Sequence, residues 1–262
     1  IEALKNLVDS NRLVCVNDRF YPKYLYDAEK NTRERLMQIR DFSLKLPSKE
    51  DALKAISIAE KKLGFDLMFL QRDAVLKSVT SKISIITGGP GTGKTTIIKA
   101  LLMTEAFLRK LNPEDDSFRR KVLLLSPTGK ASKRLALSAD MPAQTIHHAL
   151  GYSADGSFLK SKLDQLDEEL IVVDESSMLD INLISHLLDA LKDKAKLIFV
   201  GDANQLPSVG PGNVLSEMIS SNLFITTTLK EIMRQKGDSN IIKLSQMILN
   251  KNLDFKIFNE HK

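Results

Sequence analysis

One stretch restricts the possible folds more than any other. The apolar run Ile83–Ile86 leads into Thr87-Gly88-Gly89-Pro90-Gly91-Thr92-Gly93-Lys94-Thr95-Thr96, and an amphipathic segment follows from Ile97 to Leu111. The pattern G-x-x-x-x-G-K-[ST] is met here in the strand–loop–helix setting it requires. Glycines let the backbone curl so that successive N–H groups point inward at phosphate oxygens, and the helix behind adds a positive N-terminus. On this reading Gly89, Pro90, Gly91, Thr92, Gly93, Lys94, Thr95 and Thr96 cradle a nucleotide. Lys94 reaches the β- and γ-phosphates, and the Thr95 hydroxyl ligates Mg²⁺. ATP and Mg²⁺ are therefore the expected ligands. The alternative, a glycine-rich turn with a solvated lysine, does not account for the flanking strand and helix.

The rest of the chain repeats the same alternation. Val122–Leu125, Leu170–Val173, Leu197–Val200 and Leu223–Thr227 are further short runs of β-branched and aliphatic residues, each followed by a polar loop and a longer amphipathic segment. This predicts an α/β fold with a mostly parallel sheet and helices on both faces. Such sheets bind ligands at the carboxyl ends of their strands, where the polar motifs fall.

A length of 262 residues suffices for one such domain plus a small appendage. Residues 1–66 read as the end of an N-terminal helical module and a connector, and residues 67–262 as the α/β domain. In the first part a helix is expected from Asp27 to about Arg40. A second is expected behind Ser48, with Asp51 three residues on, an apolar stripe of Leu53, Ile56 and Ala59, and Gly64 as its end. A late helix is expected over Ile241–Leu249.

Composition narrows the setting less. The formal charge of +5 permits a polyanionic partner without demanding one. Cys15 is the only cysteine, so no intrachain disulfide can form and a cytoplasmic location is expected. No signal segment and no apolar run of membrane-spanning length is present, so no membrane partner is expected. The first residue, Ile1 rather than Met, suggests a chain cut from something longer.

Two further strand ends carry candidate chemistry. Leu170-Ile171-Val172-Val173 ends in Asp174-Glu175. Asp174 at the sheet edge can hold Mg²⁺ through water, and Glu175 beside it can orient and deprotonate an attacking water. The acidic run Asp167-Glu168-Glu169 reads instead as a solvated approach loop. Leu197–Val200 ends in Gly201-Asp202-Ala203-Asn204-Gln205-Leu206-Pro207. If this strand neighbours that of Asp174, the Gln205 amide can exchange partners between phosphate and water and sense hydrolysis. A loop glutamine that merely caps backbone groups is the other reading.

From Phe69 to Gln235 the motifs fall in a fixed order: Gln71 within FLQRDAV, then GGPGTGKTT, then Leu125-Ser126-Pro127-Thr128-Gly129-Lys130-Ala131. Thr145-Ile146-His147-His148-Ala149-Leu150, Asp174-Glu175-Ser176-Ser177-Met178-Leu179-Asp180, GDANQLPSVGPG and Leu229–Gln235 with Arg234 complete the series. This series resembles the superfamily-one DNA helicases of the RecD branch, the exodeoxyribonuclease V alpha-subunit type, and their TraA-type conjugative relatives. The resemblance implies a P-loop NTPase of RecA-like fold, the first motor domain of a 5′-to-3′ DNA helicase acting in repair and recombination. By the same resemblance Gln71 reads the adenine and Arg234 is an arginine finger. Single-stranded DNA would cross Pro127, Thr128, Gly129, Lys130, His147, His148, Pro207 and Val209. Backbone donors, the charges of Lys130, Lys133 and Arg134, and stacking histidines suit binding without sequence preference. Adjacent histidines as a helix cap or core contact remain the alternative.

Two departures stand out. Ser177 follows Ser176 where relatives often have alanine then serine, and position 148 is His where arginine is commoner. The resemblance further implies that a second motor domain, absent from this sequence, is needed for unwinding, so the 262 residues alone would bind nucleotide and hydrolyse it poorly. It leaves open whether other subunits of a helicase–nuclease complex are partners. Two rival readings remain: a nucleotide-dependent switch that needs no Glu175, Gln205 or Arg234, and an RNA helicase of the same superfamily.

Overall fold

The apolar runs singled out above lie side by side in one sheet of the computed structural model, which describes residues 2–230. The chain begins with α1 (Glu2–Asp9), a hairpin of β1 (Leu13–Val16) and β2 (Arg19–Pro22), and helices α2 (Lys23–Asp41), α3 (Lys49–Leu63) and α4 (Phe69–Val79). Next come β3 (Ile83–Gly88), α5 (Lys94–Leu108), α6 (Asp116–Arg119), β4 (Val122–Ser126), α7 (Gly129–Ala139), β5 (Ala143–Thr145) and α8 (Ile146–Ala149). Then follow β6 (Leu170–Val173), α9 (Ile181–Asp189), β7 (Lys196–Gly201), α10 (Val214–Ser220) and β8 (Ile225–Leu229). The helix expected over Ile241–Leu249 and the arginine Arg234 lie outside the described residues.

Strands β3 to β8 form one sheet in the order β5-β4-β6-β7-β3-β8. Every neighbouring pair is parallel. All six carboxyl ends therefore share one rim, which is what brings distant loops together there. Both faces are covered. Ile83, Ile85, Ile171, Val173, Leu197 and Phe199 bury one face against α2, α9 and α10. The alternate positions Ile86, Val122, Leu124, Val172 and Val200 bury the other against α3, α4, α5 and α7. Strands enclosed on both sides read as unbroken apolar runs, which is why they stand out in the sequence.

The leading segment departs from the helical expectation at its start. Asn17 and Asp18 both take left-handed backbone (φ 49° and 60°) and close β1 and β2 into a two-residue hairpin of the kind such turns favour. Helix α3 starts and stops as its sequence suggests: Ser48 Oγ accepts from the Asp51 N–H at 3.0 Å, and Gly64 ends it at φ 78°. Its stripe, however, is Ala52, Ala55, Ile56 and Ala59, and it packs into the core of the sheet beside α5. Helix α2 is fastened on the opposite face. The buried Arg35 guanidinium donates to the carbonyls of Leu188 (3.2 Å) and Leu191 (2.7 Å) at the end of α9, and pairs with Asp193.

At the amino-terminal rim, Lys196 fixes the far end of the helix that carries the glycine-rich loop. Its Nζ lies 2.5 Å from Glu105 Oε1 on α5 and donates to the Val79 carbonyl at 2.7 Å, with both side chains buried. Breaking a buried pair strands a charge, so Lys196→Met should destabilise the fold by about 3 kcal/mol or more. Urea unfolding checks this. An unchanged midpoint would mean that apolar packing at the site fully replaces the pair.

Candidate functional site

The glycine-rich loop leaves β3 at Gly88 and enters α5 at Lys94. Gly91 and Gly93 both have φ 83°, a left-handed backbone that side chains resist, so the curl depends on glycine at these points. Gly88 is needed for space: a Cβ there would lie 2.8 Å from Leu229 Cβ on the neighbouring strand β8. Thr92 Oγ1 donates to the Gly89 carbonyl at 2.9 Å and tightens the turn. Gln71, buried on α4, braces it from behind. Its Nε2 donates to the Thr92 carbonyl at 3.3 Å, and its Oε1 accepts from the Met68 N–H.

Lys94 folds back over the loop, with Nζ 2.6 Å from the Gly88 carbonyl and 3.1 Å from that of Gly89. Burial pushes its ammonium below the usual lysine range, while Asp202, Glu175 and Asp174 draw it back up. Both Lys94 and the loop face a cavity of about 350 Å³ lined by Pro90, Gly91, Gly93, Thr95, Thr96, Arg134, Ser138, Asp174, Glu175 and Gln205. The candidate lysine, the paired acids and the amide, spread over more than a hundred residues, thus meet at one rim.

Each of these side chains has a local reason for its place. Strand β6, buried at every position, delivers Asp174 to the rim, and Asp174 itself is buried. Burial raises its carboxyl above the usual range, and the charge of Glu175 adds to the rise. Glu175 takes left-handed backbone (φ 53°) at the head of a short turn, and the Ser176 hydroxyl behind it donates to the Val200 carbonyl at 2.8 Å. A non-glycine residue held in that region is strained, a feature that gathers at functional sites. Gln205 follows β7, with its Oε1 accepting from Ser177 Oγ at 3.3 Å. Thr87 Oγ1 accepts from the Ala203 N–H at 3.1 Å and ties that loop to the end of β3.

A divalent cation fits this corner. Thr95 and Asp174 offer hard oxygen donors to the cavity. Ser126, one step beyond the last β4–β6 pair and hence across from Asp174, has a buried hydroxyl with no hydrogen-bond partner among the described residues. A buried carboxylate beside an orphaned hydroxyl suits a hydrated hard cation held by few protein ligands. A larger cavity of about 880 Å³ lies at the opposite, amino-terminal rim near Leu46, Ile58, Glu105 and Lys196, away from these groups.

The structure disposes the other candidates as follows. Pro127, Thr128, Gly129 and Lys130 follow β4, His147 and His148 lie on α8 after β5, and Pro207 and Val209 follow β7, all on the carboxyl side of the sheet. Val209 is fully exposed. Thr128 and Thr145 are engaged as helix caps, accepting from the N–H groups of Ala131 and His148. His147 packs against the rings of Tyr152 (5.2 Å) and Phe158 (5.9 Å), so it is a packing contact as well as a surface group. Gly210 seats the exposed loop on Asp180, the residue that caps α9, where a Cβ would lie 2.8 Å from Asp180 Cβ. Arg134, among the charges that suit a DNA track by sequence, instead has its Nη2 on Glu175 Oε1 in the cavity.

Residues 71–211 match a family model described as an AAA domain, more than half of the chain and the part that holds the loop, the acids and Gln205. The chain belongs to this AAA domain family. Among the curated relatives of this AAA domain chain is the RecBCD enzyme subunit RecD of Mycobacterium tuberculosis. It is 37% identical over 172 residues, covering 60% of this chain and 29% of that protein. The ATP-dependent RecD2 DNA helicase of Deinococcus radiodurans is 34% identical over 168 residues, covering 64% and 22%. The chain thus spans about a third or less of the length of these relatives. The crystal structure of Pif1 helicase from Candida albicans shares the fold, with a TM-score of 0.53 at 23% identity over 74% of this chain and 46% of that one. Among the described residues, no helix is long and apolar enough to cross a membrane.

Proposed function

We propose that this chain is the ATP-hydrolysing motor domain of a DNA helicase, with ATP–Mg²⁺ as fuel and single-stranded DNA as track. The observation that carries the reading is the convergence of Lys94, Asp174, Glu175 and Gln205 on one cavity beside the glycine-rich loop. The reaction class and the nucleic acid follow from the names of the relatives, a RecBCD subunit and a RecD2 DNA helicase. The polarity is taken as 5′-to-3′ from the resemblance of the motif series, the partners as subunits of a helicase–nuclease complex from the RecBCD name, and the location as cytoplasmic from the lone Cys15.

In this scheme Lys94 exchanges the carbonyls of Gly88 and Gly89 for β- and γ-phosphate oxygens, and the N–H groups of the loop and of the first turn of α5 hold the rest. Gln71 is assigned to the base, for which its amide would exchange the Thr92 carbonyl and Met68 N–H that it now holds. Thr95 and Asp174 hold Mg²⁺, which when bound neutralises charge on the phosphate oxygens. Glu175 orients a water and accepts its proton as the water oxygen bonds to the γ-phosphorus. The bond from that phosphorus to the β-bridging oxygen breaks, and ADP keeps the electron pair. Gln205 contacts both water and phosphate and reports the loss of the γ-group to the exposed loop at Pro207 and Val209. Arg234 is assigned to stabilise charge on the transferred phosphoryl group. Pro127–Lys130 and His147–His148 grip the sugar–phosphate backbone.

ATP turnover of the full-length protein, measured with and without single-stranded DNA, tests this. Turnover should rise severalfold with DNA, and by more than with RNA of the same length. A rate indifferent to DNA would favour a nucleotide-dependent switch, and a larger response to RNA would reassign the track.

A further inference from the structure

Two cations face the cavity near Glu175, and both are engaged by oxygen atoms of the protein itself. Lys94 rests on the carbonyls of Gly88 and Gly89, which are part of the loop it crosses. Arg134 rests on the Glu175 carboxylate, and both of those side chains line the cavity with Thr95 and Asp174. The assigned role of Glu175 is to accept a proton from water, and a carboxylate already held by a guanidinium is poorly disposed to do so.

We propose that Arg134 is a further substrate-contacting residue. Its guanidinium pairs with Glu175, and it passes to the terminal phosphate when a triphosphate binds, which frees the carboxylate for water. This rests on the hydrolytic reading above and deepens it.

The two ends of the pair differ in freedom, and that decides which one moves. Glu175 is fixed by its left-handed backbone and by the Ser176 hydroxyl anchored on Val200 behind it. Its side chain is only 16% exposed, whereas that of Arg134 is 62% exposed. Helix α7 is itself held firmly, capped by Thr128 and buried through Ala131, Ser132, Leu135 and Ala139. Exchange therefore requires only rotation of one long side chain. An ion pair with so exposed an arginine is weak. A triphosphate offers several negative oxygens, two of which on one phosphorus match the planar fork of a guanidinium, so it competes well for the same group. Because α7 begins at the Gly129–Lys130 stretch assigned to DNA, the arginine also joins the strand grip to the hydrolytic carboxylate through one rigid element.

The test compares affinities of the chain for a non-hydrolysable ATP analogue and for ADP, by calorimetry, in wild type, Arg134→Ala, Arg134→Lys, Glu175→Gln and the Arg134→Ala/Glu175→Gln double variant. Arg134→Ala should lose about tenfold in affinity for the triphosphate, the loss of one charge-assisted hydrogen bond, with ADP affinity little changed. Arg134→Lys should restore part of that preference. Glu175→Gln releases the arginine, so it should bind the triphosphate more tightly, and this gain should vanish in the double variant. Equal losses for both nucleotides, or a gain that survives in the double variant, would overturn the proposal. So would unchanged nucleotide affinities, and weakened binding of a single-stranded oligonucleotide measured beside them would return Arg134 to the DNA track. In each of these cases wild type still binds nucleotide and the hydrolytic reading stands. Failure of wild type to bind either nucleotide would remove that reading, and the role of Arg134 with it.

Discussion

Glu175→Gln is expected to leave ATP bound while slowing its hydrolysis by about two orders of magnitude or more, the usual cost of losing a general base. The substitution keeps the shape and length of the side chain, so the left-handed backbone at this position and the turn behind it are undisturbed. What goes is the basic oxygen that accepts the proton of the attacking water. The contact from Arg134 weakens as well, because an amide oxygen is a poorer acceptor for a guanidinium than a carboxylate. Binding and chemistry should therefore separate. Single-turnover hydrolysis of pre-bound ATP measures the second without the first. A rate equal to wild type would take Glu175 out of the chemistry and leave its strained geometry without a catalytic purpose.

The opposite signature is expected at Lys94. Lys94→Ala should weaken ATP by about two orders of magnitude, as expected for two charge-assisted contacts to phosphate. Burial pushes the ammonium of Lys94 below its usual range, and three carboxylates only partly offset this. A bound phosphate supplies the missing counter-charge, so the lysine is more strongly protonated with nucleotide present than without it. Stability should hardly change, since among the described residues Lys94 Nζ is bonded to two carbonyls of an open loop and to no other group. Calorimetry with ATP, with thermal melting as the control, distinguishes the cases. Unchanged affinity would show that the loop does not bind phosphate through this lysine, and a collapsed melting temperature would show that it serves the fold instead.

The two substitutions act at residues that were legible as candidates, and the reason is physical. A phosphate loop needs glycines at fixed intervals, and a doubly covered parallel sheet needs unbroken apolar strands, so both leave strong local patterns. The caps of α3 at Ser48 and Gly64 are visible on the same ground. Features set by tertiary packing were harder to read. Strand β5 has only three residues, none fully buried, and carries no periodic signal. The hairpin at Asn17-Asp18 did have a local signature, two residues tolerant of left-handed backbone between short apolar runs, but it is brief and mixed with charged positions. Placing α3 in the sheet's core depended on alanines rather than large apolar residues, and small side chains mark close helix contact only once the partner is known. Arg134 sits among lysines and would pass for surface charge. Its role emerges only when β4 and β6 are known to be neighbours, which brings α7 over the rim at Glu175.

The path of the leading segment has a consequence for how the molecule comes apart. Helix α2 is fastened to one face of the sheet through Arg35 and α3 is buried on the other. Residues 42–48 pass between them beneath the amino-terminal rim, where Lys82 Nζ stands 5.2 Å from the Phe42 ring centre. The segment straddles the sheet as a staple straddles paper, and neither prong can lift without baring apolar surface on its own side. Leader and sheet should thus melt in a single cooperative transition, with hydrogen exchange in α2 and α3 as slow as in the central strands.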